Sequence, residues 1–427
     1  MAPPPPRSIP RPAMPEDLSS EGEVNLTPRR RRWEEEHLAP ATRALLAEDA
    51  KHFLHQSLST PCFNALKSAK GVWLEDVEGR RTMDFHGNNV HQVGHGHPRV
   101  LEALKRQLDT LPFSPRRFTN AAAIELARRL SALTGGTLGK VLFAPGGAEA
   151  ISMALKLARV ATGRHKTVSM WDSFHGATLD AISVGGEAVF RRGIGPLMPG
   201  TEHAPPCDPR SCLYGCNGIC SARCADYVEY ILAKEGDVAA VVVETVRCTD
   251  VQIPPRSYYE TLRRACDRHA ALLILDEIPI CLGRTGKMFA FEHYGIVPDM
   301  VVLGHFTHEK SSLGCAAGLA TLEVIDEERL LQRSTDLGAR ALAQLKEMQA
   351  RQTRVAEVRG IGLLLGVEMD SDALAEEVLY RCLAKGLSFK VGQGNVINLS
   401  PPLVIEEADL ERALAIVEQS IGEAARA

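Results

Sequence analysis

Five short, almost continuously apolar segments constrain the fold of this chain most strongly. Each is rich in β-branched residues, a composition typical of strands that are buried on both faces of a parallel sheet. They span residues 140–145, 166–171, 238–244, 272–277 and 300–304. Segments with apolar residues at helical spacing, such as 97–111 and 120–133, lie between and before them. The alternation predicts an α/β fold with a mainly parallel central sheet covered by helices, plus a smaller α+β domain at the C-terminal end.

The length of 427 residues suits two domains better than one. Residues 1–36 are rich in Pro and Arg and poor in apolar residues, so we predict a disordered tail there. Residues 37–96 include a predicted hairpin at 72–85 and are expected to pack with the small domain. We assign residues 97–325 to the large domain and 326–427 to the small C-terminal domain.

The charge pattern gives no reason to expect a nucleic-acid partner. The net charge is −4, and the basic run at residues 29–32 lies in the predicted tail, where it is typical of a solvated arm. No apolar run approaches the roughly 18 residues that a membrane span needs. The first ten residues lack the apolar core of a signal peptide, so we expect a cytoplasmic protein that does not bind membranes.

Five of the eleven cysteines fall in one insertion, at residues 207–224 of the large domain. They are Cys207, Cys212, Cys216, Cys220 and Cys224. Thiolates on a turn-rich loop suit zinc, but the spacing departs from paired C-x2-C motifs and five exceeds the four ligands that zinc takes. Reduced thiols without a ligand are the alternative, and a disulfide framework is the least favoured because no export signal is evident. We assign no metal ligand from the sequence.

Polar or glycine-rich motifs follow three of the predicted strands, where an α/β sheet binds its ligands. Gly146 and Gly147 open a helix directly after a strand, and the first amides of such a helix can hold a phosphate, although an ordinary strand-to-helix turn has the same appearance. Asp276 ends an apolar strand and needs a cationic partner, either an arginine or a protonated pyridine nitrogen. Phe174 and His175 follow another strand, where an aromatic ring can stack on a flat cofactor or simply fill the core.

The order and spacing of these motifs resemble the class III (ω-type) aminotransferase family, fold type I. The most specific part is the run DEIPICLGRTGKMFAFEHYGIVPD at residues 276–299, and the likeness extends from residue 71 to the last helix. The resemblance implies pyridoxal 5′-phosphate as cofactor and a homodimer with its active site at the subunit interface. It implies cofactor contacts from Gly146, Gly147, Ala148, Phe174, His175, Asp276, Ile278 and Thr307.

Roles for several of these residues also follow from the resemblance. It places the cofactor phosphate on Gly147 and Ala148, and the ring between Phe174 and Ile278. It places Asp276 on the pyridine nitrogen. Glu244 matches a glutamate at another strand end, although Thr245 stands where the family has proline, and we take Asp276 and Glu244 as the candidate catalytic residues.

Within the family, the chain is most similar to the ammonia-lyases of (R)-1-hydroxy-2-aminoethylphosphonate, enzymes of phosphonate catabolism. This similarity rests on residues 84–98, 111–120, 170–197 and 388–403 and on Pro279, where aminotransferases usually have glutamine. The implied reaction is a β-elimination that yields phosphonoacetaldehyde and ammonia. Arg116 and Arg117 are candidates to bind the phosphonate, or else form a surface pair. An ω-aminotransferase is the alternative enzyme.

The expected Schiff-base lysine does not stand at its place. Counting 29 residues from Asp276, as the resemblance requires, reaches His305, which cannot form an imine with the cofactor. The simplest interpretation is an absent segment of about 30 residues, roughly the length of a strand with its connection. Thr307 and Lys310 then belong to a downstream motif, and a lost strand would leave sheet edge and core surface exposed. A chain that keeps the fold but performs no chemistry is therefore a further hypothesis.

Overall fold

The computed structural model describes residues 27–54, 62–115, 117–209, 212–216, 220–304 and 310–426. The helices are α1 Pro28–His37, α2 Pro40–His52, α3 Pro98–Thr110, α4 Ala121–Leu133, α5 Gly147–Thr162, α6 Leu179–Val184, α7 Ala188–Arg191, α8 Arg223–Glu235, α9 Arg256–His269, α10 Ser312–Glu327, α11 Leu330–Arg351, α12 Asp372–Ala384 and α13 Glu407–Ala424. The strands are β1 Leu66–Lys70, β2 Trp73–Asp76, β3 Arg81–Asp84, β4 Lys166–Met170, β5 Thr201–Ala204, β6 Val238–Glu244, β7 Leu272–Asp276, β8 Met300–Val302, β9 Val355–Ile361, β10 Leu364–Met369, β11 Leu387–Ser388, β12 Lys390–Gly392 and β13 Val396–Leu399.

A parallel sheet of order β5-β4-β6-β7-β8 forms the centre of the molecule. Every residue of β6 is buried, as its continuous valine-rich sequence requires in a sheet covered on both faces. The register aligns Glu244 with Asp276, so the last residues of β6 and β7 lie side by side. This arrangement confirms the predicted α/β fold and brings the polar strand ends to one edge.

Four of the five predicted central strands are present, and one prediction is wrong. Residues 140–145 form no strand, although their sequence has the same composition as the others. A strand needs a neighbour to pair its backbone amides and carbonyls, and among the described residues no strand pairs with this segment or with the outer edge of β8. The short strand β5, Thr201–Ala204, was not predicted.

A cavity of about 910 Å³ lies between β8 and the segment at residues 140–145. Its wall includes Leu142, whose side chain is 67% exposed, and Val141. An apolar, β-favouring segment and an open strand edge therefore face a common gap that the described chain leaves unfilled.

Two smaller sheets complete the fold. Strands β12, β13, β10 and β9 pair antiparallel, and β1, β2, β3 and β11 form a mixed sheet. The predicted hairpin at residues 72–85 is confirmed by β2 and β3, and β3 pairs in parallel with β11 far along the chain. The N-terminal segment thus joins the C-terminal part through a sheet, while the division into two domains stays a prediction.

The predicted disordered tail is wrong for its last residues, since α1 begins at Pro28. Trp33 is buried and packs against Phe63 and Tyr380, and Arg29 forms an ion pair with Glu376 of α12. These partners lie more than 300 residues away, except for Phe63, so the local sequence does not reveal them. Residues 1–26 lie outside the described residues. Across the described chain, no helix combines the length and apolar character that crossing a bilayer requires.

Candidate active site

A second cavity, of about 370 Å³, lies at the carboxyl ends of β4, β6 and β7. This is the edge at which an α/β sheet binds its ligand. Its lining brings together eight predicted residues or their direct neighbours: Gly147, Ala148, Phe174, His175, Glu244, Asp276, Ile278 and Pro279. The strand ends predicted from the sequence therefore form one site.

Asp276 is held at the floor of this cavity by two hydrogen bonds. His175 Nδ1 lies 2.7 Å from Oδ2, and the backbone N–H of Ile278 donates to Oδ1 at 3.0 Å. Both side chains are buried, and His175 Nε2 reaches Ser169 Oγ at 3.4 Å. These two hydrogen bonds fix the buried carboxylate in one orientation at the cavity wall. There it can accept a hydrogen bond from a protonated ring nitrogen.

The start of α5 forms the opposite wall. Gly146 precedes the helix without any side-chain cap, so the first amides of Gly147 and Ala148 remain available to an anion. The loop after β4 packs closely onto this turn: a Cβ on Gly176, which has φ +125°, would lie 2.5 Å from Ala148 Cβ. The backbone is thus arranged as a phosphate site at a helix N-terminus.

Phe174 and Ile278 supply the apolar surfaces of the cavity. Phe174 packs on Phe190 with ring centroids 4.4 Å apart, and Ile278 lies close to Gly147, where a Cβ would meet Ile278 Cδ1 at 3.3 Å. A flat ring with an anionic tail and a basic nitrogen matches these walls, the helix start and Asp276 together. The residues present therefore fit pyridoxal 5′-phosphate.

Glu244 lies beside Asp276 with only 8% of its surface exposed. Burial, followed by repulsion from Asp276, raises the pKa of Glu244 well above the ordinary value of a glutamate, against the lowering effect of Arg247. Its Oε2 atom is buried and has no hydrogen-bond partner among the described residues. The raised pKa favours the protonated form of the Glu244 carboxyl at the cavity wall.

The structure adds a cation that the sequence analysis missed. Lys390, at the start of β12, lines the cavity opposite the central sheet and is the one lysine of the described chain that does so. Together with burial, its charge lowers the pKa of the neighbouring His86 to about 4. No local motif marks Lys390, because the packing of β12 and β13 against the loop after β6 brings it here.

Other residues that the sequence predicted for the site do not line this cavity or lie outside the described residues. Arg117 is exposed and does not line the cavity, and Arg116, His305 and Thr307 lie outside the described residues. Lys310 is exposed at the start of α10, where its carbonyl accepts a hydrogen bond from Asn120 Nδ2 at 3.0 Å. Within one subunit, Lys310 does not reach the cofactor cavity.

The fold and this cavity define a pyridoxal-phosphate-dependent α/β protein of fold type I. The family model described as aminotransferase class-III matches residues 55–309 and 306–421. The chain belongs to the class III aminotransferase family, and its cofactor is pyridoxal 5′-phosphate.

Curated relatives of this chain carry out different reactions. The (R)-1-hydroxy-2-aminoethylphosphonate ammonia-lyase of Vibrio splendidus is 47% identical, over 94% of this chain and 95% of the relative. An acetylornithine aminotransferase of Caldanaerobacter subterraneus is 32% identical over 84% of this chain and 94% of its own. An alanine/serine racemase of Pyrococcus horikoshii is 30% identical over 88% of this chain and 90% of its own. Family membership alone therefore leaves the reaction type open.

Solved structures agree with the fold. An (S)-enantioselective ω-transaminase from Thermomicrobium roseum superimposes with a TM-score of 0.82 at 28% identity, covering 90% of this chain and 98% of that one. An ornithine aminotransferase from Toxoplasma gondii, with partial occupancy of PLP at its active site, gives a TM-score of 0.81 at 26% identity over 94% of this chain and 99% of that one.

Proposed function

We propose that the cavity at the strand ends is the active site of an ammonia-lyase that converts (R)-1-hydroxy-2-aminoethylphosphonate to phosphonoacetaldehyde and ammonia. The observation that carries this proposal is the 47% identity to a lyase of that name along nearly the whole of both chains. The other relatives cited are 30–32% identical. The cavity supports the proposal because its lining offers places for the cofactor's phosphate, ring and ring nitrogen.

The cofactor's protonated ring withdraws electrons from the carbon that carries the substrate amine. The protein would hold that ring in place: the first amides of α5 would bind the phosphate, and Asp276 would keep the ring nitrogen protonated. His175 fixes the orientation of Asp276 through its 2.7 Å contact. These residues determine where the reacting bonds lie.

The substrate differs from an ordinary amine by its phosphonate group, which needs cationic partners. Lys390 offers one from the far wall of the cavity. Arg117 offers a second if a partner subunit brings it to the site, and Phe113 and Phe118 beside it are 72% and 68% exposed, as expected for a surface that another subunit covers. We therefore propose a homodimer with Arg117 contributed across the interface.

Elimination of the hydroxyl requires a proton for the departing oxygen. Burial raises the pKa of Glu244 and so favours the protonated form of its carboxyl, whose Oε2 has no partner among the described residues. We assign Glu244 as the group that protonates this oxygen, so that water leaves. Glu244→Gln should lower kcat at least ten-fold with little change in KM, and unchanged kcat would reject the assignment.

Phosphonoacetaldehyde release without any keto acid tests the lyase against the aminotransferase alternative. Pro279, which lines the cavity where aminotransferases usually have glutamine, supports the lyase. We expect aldehyde and ammonia in equal amounts from the hydroxy-aminophosphonate alone. A strict requirement for a keto acid would identify the chain as an ω-aminotransferase instead.

A second candidate is a chain that binds the cofactor but performs no chemistry, which follows if the interpretation of an absent Schiff-base lysine segment is correct. Several observations favour it. The family model matches in two pieces that meet at residues 306–309, and the alignment to the Vibrio relative runs over 454 positions, more than the 427 residues of this chain. The gap between β8 and residues 140–145 is of the kind that a missing strand leaves.

Borohydride reduction of the protein with pyridoxal phosphate, followed by peptide mass spectrometry, separates these candidates. A label on Lys390 or Lys310 together with aldehyde release supports an active lyase that uses an alternative lysine. Bound cofactor with neither label nor turnover supports the non-catalytic chain. In that case, insertion after Gly304 of a family segment that carries the Schiff-base lysine should restore turnover, and the same insertion with that lysine changed to alanine should not.

A further inference from the structure

We propose that the cysteine loop between β5 and α8 binds a zinc ion through Cys207, Cys216, Cys220 and Cys224. This inference is independent of the reaction proposed above. The sequence left zinc, unliganded thiols and disulfides as alternatives because the spacing matches no paired motif. The structure decides among them by where it places the sulfur atoms.

Three thiols form a compact cluster. The Sγ atoms of Cys207, Cys220 and Cys224 all lie within 4.8 Å of one another, and Cys207 and Cys220 are 3.4 Å apart. Four thiolates around zinc stand about 3.8 Å apart, given zinc–sulfur bonds of about 2.3 Å. A disulfide would need about 2.0 Å, which this contact exceeds. The spacing is therefore that of ligands around a common centre.

Cys216 provides the fourth ligand. Its thiol is not among the three that lie within 4.8 Å of one another, but it interacts with Cys220, and its Sγ atom lies 3.1 Å from Cys212 Sγ. Cys212 reaches the cluster only through Cys216 in these contacts. Four sulfurs complete a tetrahedral shell, and Cys212 then stands outside it, which accounts for the fifth cysteine of the insertion.

The backbone around the cluster is arranged to support thiolates. The N–H of Ala222 donates to Cys220 Sγ at 3.3 Å, and the N–H of Ser221 donates to Cys216 Sγ at 3.5 Å. Cys224 lies in the first turn of α8, a helix of 13 residues that begins without a side-chain cap. Amide donors and the positive end of a helix both favour deprotonated sulfur. Several thiolates this close repel one another unless a cation lies between them.

The position of the cluster indicates a structural role. Cys207 and Cys224 are 5% and 3% exposed and belong to the main hydrophobic core, and Cys220 packs against it. A metal here would tie the end of β5 to the start of α8. Cys207 also lines a small cavity together with Glu244 and Arg247, so the same loop supports one side of the active site. A closed shell of four protein ligands is typical of structural zinc.

Metal analysis of the full-length protein, purified without chelators, tests the proposal. We expect one zinc per chain by inductively coupled plasma mass spectrometry. Cys207→Ser and Cys224→Ser should each lower the zinc content at least ten-fold. Cys212→Ser, within the loop, and Cys62→Ser, outside it, should retain zinc at the wild-type level. Loss of zinc from Cys212→Ser with retention in Cys216→Ser would overturn the assigned ligand set.

A measurement on the unmodified protein covers the case in which the serine variants fail to fold. Titration with a mercurial reagent should release zinc to a coloured indicator as about four thiols per chain are blocked. Replacement of zinc by cobalt should give the visible bands of tetrahedral thiolate coordination. Iron with acid-labile sulfide, a disulfide within the loop, or metal-free protein with all five thiols reactive would each overturn the proposal.

Discussion

Three neighbouring buried carboxyl groups at the ends of β6 and β7 differ in the hydrogen bonds that their oxygens accept. Asp276 accepts from His175 and from a backbone amide, and Glu277 accepts backbone N–H groups of Ala290 and Phe291 at 2.7 Å each. Glu244 leaves one oxygen without a described partner. Asp276 and Glu244 face the cofactor cavity, whereas Glu277 holds the loop after β7 in place. The site thus separates groups that bind or react from one that supports the backbone.

Glu277 should make the stability of the fold depend on pH. Burial raises its pKa from 4.5 to about 7, against the lowering effect of its hydrogen bonds. The raised value means that the unfolded chain loses this proton first, so stability is full below pH 4.5 and falls as the pH rises towards about 7. Relative to Glu277→Gln, wild type should lose about 3 kcal/mol across this window.

Urea unfolding of both proteins between about pH 4 and about pH 8 measures this difference. Glutamine cannot accept both backbone amides equally well, which adds a constant offset but no pH dependence. Glu102→Gln, on the exposed face of α3, should follow wild type at every pH. Parallel curves for wild type and Glu277→Gln would contradict the prediction.

Asp276 should control cofactor affinity rather than stability alone. Asp276→Asn removes the charge that pairs with the ring nitrogen, and a hydrogen bond to a charged group contributes about 1.5–3 kcal/mol. The dissociation constant for pyridoxal phosphate should therefore rise about 10- to 100-fold in a fluorescence titration. Asp109→Asn, on exposed α3, should bind as wild type does. Equal affinities in both variants would exclude Asp276 as the cofactor's partner.

At the scale of elements, the sequence predicts those strands and helices whose burial shows as a local or repeating residue pattern. The strands β4, β6, β7 and β8 were predicted because their apolar runs report burial on both faces. Residues 140–145 have the same composition, yet form no strand, since pairing depends on a neighbour that the described chain does not supply. Helix α1 was missed for the converse reason: Trp33 is buried by distant residues.

The same distinction applies to the candidate site. Asp276, Phe174 and Gly147 were predicted to lie together because carboxyl ends of parallel strands share one edge of the sheet, and the cavity contains all three. Lys390 carries no such signal, because it belongs to a strand of another sheet. The sequence also does not predict that the sulfur atoms of Cys207, Cys220 and Cys224 lie close together, because the path of an irregular loop decides this.

The close contact between the loop after β4 and the start of α5 should be sensitive to a single methyl group. Gly176→Ala places a Cβ 2.5 Å from Ala148 Cβ at a φ of +125°. Strain and overpacking together should cost more than about 2 kcal/mol of unfolding free energy and weaken phosphate binding at the helix start. Gly163→Ala, with φ +69° and open space around it, should cost only about 1 kcal/mol. A smaller loss for Gly176→Ala than for Gly163→Ala would show that the contact can relax.

At the scale of the whole molecule, exposed apolar surface occurs in two different settings. Leu142 faces the gap beside β8, where a strand edge of the same chain is open. Phe113 and Phe118 flank Arg117 on the connection between α3 and α4 and do not line that gap. The first setting is a gap that the described residues leave unfilled, whereas the second is the surface that we propose another subunit covers.

Association through the segment at residues 113–118 should therefore respond to charge. We predict that Phe113→Glu combined with Phe118→Glu converts a dimer to a monomer in size-exclusion chromatography with light scattering. Because both side chains are at least 68% exposed within one subunit, the unfolding free energy of the monomer should change by less than about 0.5 kcal/mol per site. Val160→Glu, at a site 78% exposed on α5, should remain dimeric. A double variant that stays dimeric would place the interface elsewhere and would leave Arg117 without a route to the partner's cavity.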